Sequence, residues 1–350
     1  MSLPPAPFRI GLTADFYDAA GKLKYPDIGL GMFEKTPGIE VAAFAEHRPV
    51  IGADQIEPFH GVIVLTPRVT AETLQKADHF LAFGRFGVGY DSVDVKACTE
   101  ADVALFITPG AVNRPVAEAT VMWMLALSHH LHVKDRLVRT GEWDARSRYM
   151  GTELRDRTLG IVGFGGIGRE LMKLTAGFGM NPPLVFDPFQ MPEAIEQSGA
   201  VPVSLEELLK QSDFVSLHCP LTEQTRNLIG AKEIGLMKPT AFLINTARGG
   251  IIEETALYDA LKSRRIAGAA LDCFAAEPIT SPPIWADLEN VLLAPHSIAW
   301  TEELFRDIGR AVCRGMLDLL QGKIPAGIVN PEVFQRPGFL AKWKPLVRIS

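Results

Sequence analysis

Cysteine is scarce in this chain, with four residues among 350. Cys98, Cys219, Cys273 and Cys313 lie far apart in the sequence, and no two of them form a CxxC pair. This spacing argues against both a zinc cage and a disulfide framework, and it fits the reducing cytosol. We therefore predict no metal site and a cytoplasmic location.

Long apolar segments and long basic segments are absent as well. The apolar run Val121–Leu127 is far too short to cross a bilayer, and the N-terminus has neither the basic start nor the apolar stretch of a signal peptide. The formal net charge is −6, and no long run of Lys and Arg opposes it. We therefore expect binding to neither nucleic acid nor membrane, and an anionic substrate must be held by local cations.

What the sequence does contain is a regular alternation of short apolar runs and amphipathic segments. The first series comprises Ile10–Leu12, Val41–Phe44, Gly61–Leu65, Phe80–Phe83 and Val103–Ile107. The second comprises Leu159–Val162, Leu184–Phe186, Phe214–Leu217, Phe242–Ile244, Ala267–Leu271 and Val291–Leu293. Such alternation is typical of βαβ units, so the two series predict an α/β protein with two Rossmann-like, doubly wound parallel-sheet domains.

Two longer helices are predicted, one over Pro115–Thr140 between the two series and one over Thr301–Gln321 after the second. If the later helix packs back onto the first domain, that domain is discontinuous in sequence. The predicted domains are then residues 1–114 with 301–350, and residues 115–300. The Pro-interrupted segment 331–350 fits either a helix packed on the surface or a loose tail.

A glycine-rich turn follows the first apolar run of the second series. Residues 159–168 form a strand pattern that leads into GxGxxG, and a helical pattern follows over Arg169–Phe178. Gly163 permits the tight turn, Gly165 lets the backbone approach a pyrophosphate, and Gly168 lets helix and strand pack closely. The helix N-terminus then offers N–H donors and a positive dipole to the phosphates. This context favours a dinucleotide site over an ordinary tight turn.

Asp187 identifies the dinucleotide. It ends the next apolar run, 19 residues past Gly168, where an acid accepts hydrogen bonds from the ribose hydroxyls of NAD. The same carboxylate repels the additional phosphate of NADP, and no Arg or Lys in Pro188–Gln190 offsets that repulsion. The predicted cofactor is NAD.

Three chemically complementary side chains follow later apolar runs. Arg248 comes after the fourth, Glu277 after the fifth and His296 after the sixth. The carboxyl ends of parallel strands meet at one edge of the sheet, so these residues should share the edge that carries the glycine turn. A guanidinium grips a carboxylate or carbonyl, an imidazole gives a proton to a forming alkoxide, and a carboxylate favours and orients the imidazolium. The trio suits reduction of a 2-keto acid, whereas a methyltransferase, which can share the glycine turn, does not explain it.

Six stretches resemble the D-isomer-specific 2-hydroxyacid dehydrogenase family, which includes phosphoglycerate dehydrogenase, glyoxylate/hydroxypyruvate reductase and D-lactate dehydrogenase. They are Gly87–Asp91, Leu159–Gly168, Ser216–Thr222, Asn245–Gly250, Asp272–Pro278 and Ala294–His296. The resemblance implies a discontinuous, flavodoxin-like substrate domain, an NAD-binding domain over 115–300 and a homodimer built on the helix that follows the first crossover.

The resemblance also implies roles for individual residues. Arg248, Glu277 and His296 are the implied catalytic trio, and Arg248 and His296 also contact the substrate. The substrate carboxylate is held by backbone N–H groups of Val88 and Gly89. The residues implied to bind the cofactor are Gly163, Gly165, Gly166, Ile167, Gly168, Asp187, Cys219, Pro220, Thr246, Ala247 and Asp272.

The substrate itself is left open between glyoxylate, hydroxypyruvate and 3-phosphohydroxypyruvate. A phosphate requires two or more local cations, for which Arg68 and Arg85 are the only hints, and structural salt bridges are the better interpretation of both. Trp300 either narrows the pocket or packs at the domain junction. The alternatives in function are 3-phosphoglycerate dehydrogenase proper and an NAD-sensing corepressor, whereas Glu277 argues against formate dehydrogenase.

Several other residues receive a structural interpretation. His129 and His132 share a helix face but lack further ligands, so interface packing is favoured over a metal. His218 is expected to be a satisfied structural histidine, and nothing in the sequence activates Cys219 or Cys273 as a nucleophile. Trp143 is interpreted as a dimer contact, and no regulatory domain is expected after the C-terminal helix.

Overall fold

The computed structural model describes residues 7–347, and the chain divides into two compact units. The first unit ends at Val112 and resumes at Trp300, and the second unit runs from Asn113 to Ala299. Each unit contains one sheet in which every strand pair is parallel. The prediction of two doubly wound parallel-sheet α/β units is confirmed. No helix within residues 7–347 combines the length and apolar character needed to cross a membrane.

The N-terminal part of the first unit forms a five-stranded sheet. Its strands are β1 (Phe8–Leu12), β2 (Ile39–Ala43), β3 (Gly61–Val64), β4 (Ala82–Arg85) and β5 (Ala104–Phe106), in the order β2-β1-β3-β4-β5. The helices are α1 (Gly31–Glu34), α2 (Ala53–Ile56) and α3 (Val95–Glu100). All four residues of β3 are buried, as expected for a parallel strand covered on both faces, and the strand order is that of flavodoxin-like folds.

The second unit begins with α4 (Asn113–Ser128) and α5 (Leu131–Thr140) and then forms a seven-stranded sheet. Its strands are β6 (Leu159–Val162), β7 (Leu184–Phe186), β8 (Val201–Pro202), β9 (Phe214–Leu217), β10 (Phe242–Asn245), β11 (Gly268–Leu271) and β12 (Val291–Leu293). The helices between them are α6 (Gly166–Thr175), α7 (Pro192–Glu196), α8 (Leu205–Gln211), α9 (Ala231–Leu236) and α10 (Glu254–Lys262). The order β12-β11-β10-β9-β6-β7-β8 reverses the chain's course between β6 and β9. That reversal opens a crevice at the carboxyl ends of these two strands.

The chain returns to the first unit through α11 (Glu302–Leu320). Thr301 caps this helix, because its hydroxyl accepts a hydrogen bond from the Leu304 N–H at 3.0 Å. A last helix, α12 (Pro337–Trp343), buries Phe339 completely. Segment 331–347 is therefore packed structure and not a loose tail, and residues 348–350 lie outside the described part.

One strand prediction was misplaced. The run Phe80–Phe83 was predicted as a strand, but β4 spans Ala82–Arg85. Phe80 and Leu81 are fully buried yet precede the strand. An apolar run indicates which residues are buried and not which residues pair in the sheet. The predicted strand therefore began at the buried Phe80, before the first paired residue. The two-residue edge strand β8, which contains a proline, had no apolar run to indicate it.

The single helix predicted over Pro115–Thr140 was also wrong, because the structure has two helices there. The chain breaks at His130, whose φ is +52°. The Ser128 carbonyl oxygen accepts a hydrogen bond from the Thr152 N–H at 2.9 Å. This contact from a distant segment satisfies the end of α4, and neither Gly nor Pro marks the break in the sequence.

Candidate active site

The glycine turn lies at the reversal point of the second sheet. Gly163 has φ +93°, and a Cβ built on it would lie 2.8 Å from the Cys219 backbone nitrogen in the segment after β9. A Cβ on Gly168 would lie 2.6 Å from the Gly163 carbonyl oxygen. A side chain at either position would push these backbones apart. The two glycines therefore let α6 start directly against the end of β6.

The space around this turn fits a pyrophosphate. A Cβ built on Gly165 would meet no atom within 4 Å, so the turn is open on that side. The backbone N–H groups of Gly166, Ile167 and Gly168 belong to the first turn of α6 and have no acceptor within the helix. They and the helix dipole suit an anion. The buried Thr246 hydroxyl also has no partner among the described atoms, as expected where a bound group would supply one.

Asp187 is held at the edge of the same turn. Its carboxylate accepts hydrogen bonds from the Phe164 N–H at 2.7 Å and from the Phe189 N–H at 2.9 Å. Next to it, the Arg169 guanidinium stacks on the Phe164 ring at 4.4 Å and donates to Gln190 at 2.9 Å. Arg169 thus brings a cation to this loop from α6, outside the segment 188–190 on which the prediction of NAD over NADP rested.

His296 and Glu277 are paired directly. The His296 Nδ1 lies 2.8 Å from Glu277 Oε2, and His296 has φ +52°, a left-handed conformation that is uncommon for residues other than glycine. The Asp272 carboxylate accepts hydrogen bonds from the N–H groups of Ser297 at 2.8 Å and Ile298 at 3.1 Å. Asp272 therefore anchors the backbone that immediately follows the histidine.

The two carboxylates of this site have opposite pKa shifts. Burial alone would raise the pKa of Glu277, but hydrogen bonds from His296 and from the Phe274 N–H, with the charge of Arg248 nearby, bring it below the usual value. Burial raises the pKa of Asp272 to about 6 despite its backbone hydrogen bonds. Glu277 is thus the carboxylate that stays ionised beside the imidazole.

The loop after β10 presents Arg248. The Asn245 side chain donates to the Arg248 carbonyl at 2.8 Å and accepts from the Ala247 N–H at 3.0 Å. The Arg248 guanidinium donates to the Ala247 carbonyl at 2.7 Å. The structure therefore brings Arg248, Glu277 and His296 to one edge of the second sheet, together with the glycine turn.

In the first unit, the segment after β4 carries Val88 and Gly89. Both residues are half-buried, and neither backbone N–H donates a hydrogen bond within residues 7–347. The Arg85 guanidinium donates to the neighbouring Phe86 carbonyl, and Arg68 is exposed. These observations identify two available backbone donors in this unit.

Trp300 is half-exposed within the first unit. Its ring meets the rings of Tyr25 and Phe305 edge-on, with centroid distances of 5.9 and 5.1 Å. Tyr25 itself stacks on Phe305 at 3.9 Å. The tryptophan is therefore fixed by an aromatic cluster of its own unit.

Asn113 is a neighbour of the site that the sequence analysis missed. Its side chain abuts the Gly166 Cα, where a Cβ would collide with it. Asn113 begins α4, which packs against α6 in the second unit. No local pattern could indicate this residue, because 49 residues separate it from the start of the glycine turn at Gly163.

Neither cysteine near the site is set up as a nucleophile. Burial raises the pKa of Cys219 to about 11, and burial with the carboxylates of Asp272 and Glu277 raises that of Cys273 further. The thiolate is the reactive form, so both thiols are inert near neutral pH. His132 Nε2 donates a hydrogen bond to the Glu289 carbonyl oxygen at 2.6 Å, so this ring nitrogen carries a proton.

His218 occupies the segment after β9 and is only half satisfied. Its Nε2 lies 2.9 Å from the Ser216 hydroxyl, whereas its buried Nδ1 has no partner among the described atoms. Burial lowers the pKa of His218 from 6.5 to about 4. The side chain is therefore neutral near pH 7, as a structural histidine should be.

Replacing His218 with glutamine should change how stability depends on pH. As the pH falls from 6.5 toward 4, the unfolded chain takes up this proton before the folded protein does, so stability is lost in that window. The His218→Gln variant lacks this loss. Relative to the variant, the wild-type unfolding free energy should fall by about 3 kcal/mol between pH 7.5 and pH 4. Urea unfolding at both pH values measures it, and a pH-independent difference would contradict the assignment.

Sequence comparison places the chain among known dehydrogenases. Residues 121–297 match the family model of the D-isomer specific 2-hydroxyacid dehydrogenase NAD-binding domain. A glyoxylate reductase from Thermococcus litoralis is 38% identical over 316 residues, which cover 88% of this chain and 95% of that protein. A D-3-phosphoglycerate dehydrogenase from Methanocaldococcus jannaschii is 40% identical over 285 residues, which cover 81% of this chain and 53% of that protein.

Solved structures that share the fold also include a glyoxylate reductase. The crystal structure of a glyoxylate reductase from Paecilomyes thermophila matches with a TM-score of 0.78 at 29% identity, covering 94% of this chain and 100% of that one. The TT0316 protein from Thermus thermophilus matches with a TM-score of 0.79 at 29% identity, covering 92% and 100% of the two chains. The chain belongs to the D-isomer specific 2-hydroxyacid dehydrogenase family and is an NAD-dependent oxidoreductase.

Proposed function

We propose that the protein reduces a small 2-keto acid to its D-2-hydroxy acid, and catalyses the reverse oxidation, with Arg248, Glu277 and His296 as the catalytic trio. The observation that carries this proposal is the 2.8 Å contact between His296 Nδ1 and Glu277 Oε2. A carboxylate that stays ionised favours the imidazolium and fixes its orientation. The other imidazole nitrogen is then free to donate a proton to the substrate oxygen.

Each member of the trio has a defined task. His296 donates a proton to the carbonyl oxygen as it becomes an alkoxide, and takes a proton from the hydroxyl in the reverse direction. Glu277 holds the imidazole, and Arg248 binds the substrate carboxylate or carbonyl in fork geometry. NADH, when bound at the glycine turn, supplies the hydride. We assign its binding to Gly163, Gly165, Gly166, Ile167, Gly168, Asp187, Cys219, Pro220, Thr246, Ala247 and Asp272.

We propose that the first unit provides backbone donors for the substrate. The N–H groups of Val88 and Gly89 have no acceptor within residues 7–347, and two such donors suit one carboxylate. The Arg85 guanidinium donates to the Phe86 carbonyl and is thus partly engaged with the backbone of its own unit. We favour a small unphosphorylated acid such as glyoxylate or hydroxypyruvate as the substrate, in keeping with the name of the Thermococcus relative.

3-Phosphoglycerate dehydrogenase activity is the second candidate. It is favoured by the 40% identity to the Methanocaldococcus enzyme. Arg68 is exposed in the first unit and is the remaining cation proposed to meet a phosphate there. An NAD-sensing corepressor has no comparable support, because a binding protein does not need a paired acid and histidine.

A panel of 2-keto acids tests the proposal. We expect NADH oxidation with glyoxylate and hydroxypyruvate, and kcat/KM at least about tenfold lower with 3-phosphohydroxypyruvate, which corresponds to about 1.4 kcal/mol of transition-state binding. The reverse ranking would establish the second candidate. Absence of turnover with every 2-keto acid, in a protein that binds NADH, would refute the enzymatic proposal.

We also propose a homodimer formed through α5 and the segment after it. Leu131, Val138, Trp143 and Met150 are large apolar residues of this region, and each is at least 60% exposed. Exposed apolar side chains gathered in one region are typical of protein interfaces. Light scattering should give a mass near twice 38.2 kDa, and Trp143→Glu together with Met150→Glu should shift it to one chain. A monomeric wild-type protein would refute the dimer.

A further inference from the structure

A mixed group of metal-ligand atoms lies within the site. Cys273, Glu277 and His296 each offer one ligand atom, and the three atoms lie within 4.8 Å of one another. Within residues 7–347 this is the one group of three or more His, Cys, Asp or Glu side chains with that arrangement. A thiolate, an imidazole and a carboxylate form a donor set that Zn²⁺ binds in proteins.

The spacing is close to that of a tetrahedral zinc site. Zinc lies about 2.0–2.3 Å from nitrogen, oxygen and sulfur ligands, so neighbouring ligand atoms are roughly 3.5 Å apart. Side-chain rotations that move each ligand atom by up to about 1 Å would close the remaining difference. The side chains of Glu277 and His296 are 34% and 46% exposed, which leaves access for the ion and room for water as a fourth ligand.

The surrounding charges favour a cation at this place. The carboxylates of Asp272 and Glu277 both act electrostatically on the Cys273 thiol, and Arg248 is the cation that opposes them. The thiol donates weakly to the Ala247 carbonyl, with sulfur and oxygen 3.4 Å apart. It must lose its proton to bind a metal, and a bound divalent cation supplies the electrostatic energy for that loss.

We propose that Zn²⁺ binds to Cys273, Glu277 and His296 and thereby reversibly inhibits the enzyme. Coordination forms a bond from sulfur to zinc while the thiol proton passes to solvent, and no electron is transferred. If zinc takes His296 Nδ1, it breaks the hydrogen bond to Glu277. If it takes the other ring nitrogen, it occupies the proton-donating position. Binding itself is independent of the proposed function, whereas the inhibition rests on it.

This site departs from the sequence-based prediction of no metal. The ligands come from the loops after β11 and β12, and 22 residues separate Cys273 from His296, so no short metal-binding motif indicates the site. The ion inhibits and is not required for turnover, so the proposed reaction needs no resident metal.

Metal binding is tested first, without reference to activity. Co²⁺ added to the full-length wild-type protein should produce a thiolate-to-cobalt charge-transfer absorption that Zn²⁺ abolishes at about one equivalent per chain. Calorimetry in buffers of different ionisation enthalpy should detect proton release on Zn²⁺ binding. Absence of the thiolate band, or its retention in Cys273→Ala, would overturn the proposed ligand set.

Inhibition is tested with matched cysteine variants. Zn²⁺ should inhibit wild-type turnover, and EDTA should restore it. Cys273→Ala should raise the inhibitory Zn²⁺ concentration by about 10- to 100-fold or more. Removing even a residue that only hydrogen-bonds to a metal ligand typically weakens metal affinity by this factor. Cys98→Ala removes another buried thiol, in the first unit, and should leave inhibition unchanged. Cys273→Val, which fills the same space, replaces the alanine variant if that one folds poorly.

The outcomes separate the two proposals. Equal Zn²⁺ inhibition of wild type, Cys273→Ala and Cys98→Ala would place the inhibitory metal elsewhere and overturn the inference. A Cys273-dependent cobalt spectrum in a protein that turns over no 2-keto acid would refute the proposed function while leaving the metal site intact. If zinc occupies the site and turnover of 2-keto acids is not lowered, the proposed inhibition is overturned but the metal site is not.

Discussion

His296→Ala lowers kcat by about 10²- to 10⁴-fold, the contribution expected of a positioned general acid. NADH affinity stays within a few-fold of wild type, because the glycine turn and Asp187 lie on other strand ends of the second unit. Stopped-flow turnover with saturating keto acid, and fluorescence titration of NADH, measure the two effects. A variant with wild-type kcat would refute the assignment of His296.

Glu277→Gln is the informative companion variant. The amide retains a hydrogen-bond partner for His296 Nδ1, which is 2.8 Å from the carboxylate in wild type, but it removes the negative charge that favours the imidazolium. We expect a lower kcat for keto-acid reduction with little change in KM. A variant with wild-type kcat would show that the charge of Glu277 does not contribute to turnover.

Arg248→Ala is expected to lower kcat/KM for the keto acid by roughly 30- to 5,000-fold, equivalent to about 2–5 kcal/mol for truncating one partner of a buried charged pair. The loss should appear mainly in KM if the guanidinium holds the carboxylate equally in ground and transition states. Arg248→Lys keeps the positive charge but loses the forked pair of donors, so its kcat/KM should lie between those of wild type and Arg248→Ala.

The control for Arg248 is Arg155→Ala. Arg155 is an exposed arginine of the second unit, paired with Glu153 at 3.0 Å, so its loss should change kcat/KM by less than about twofold. Steady-state kinetics with glyoxylate and hydroxypyruvate compare the variants. If Arg248→Ala retains wild-type kcat/KM for every keto acid that the enzyme accepts, the carboxylate is held elsewhere.

Much of the fold could be predicted because burial and pairing coincide along most of the parallel strands. β6, β7, β9 and β12 have the bounds that the apolar runs predicted. The failures share a cause. The displaced β4, the short β8 and the break at His130 are each decided by contacts with distant segments, which periodicity along the chain does not report.

The site was predictable to the extent that topology determines it. The rule that ligands gather at the carboxyl ends of parallel strands brought Arg248, Glu277 and His296 to one edge. Asn113 and the guanidinium of Arg169 could not be found in this way, because they reach the glycine turn from helices. Cys273 follows a strand, β11, but its position beside Glu277 and His296 emerges only when side-chain positions are known.

The two crossings of the chain between the units have a consequence for synthesis. Residues after Trp300 complete the first unit: Asn330 Oδ1 accepts from the Leu105 N–H at 2.8 Å, and the amide of Asn330 donates to the Val103 carbonyl at 2.9 Å. A ribosome makes all of Asn113–Ala299 before it makes these residues. The second unit therefore has its whole sequence available while the first still lacks α11 and α12, so the part of the protein that is begun first is the last that can be finished.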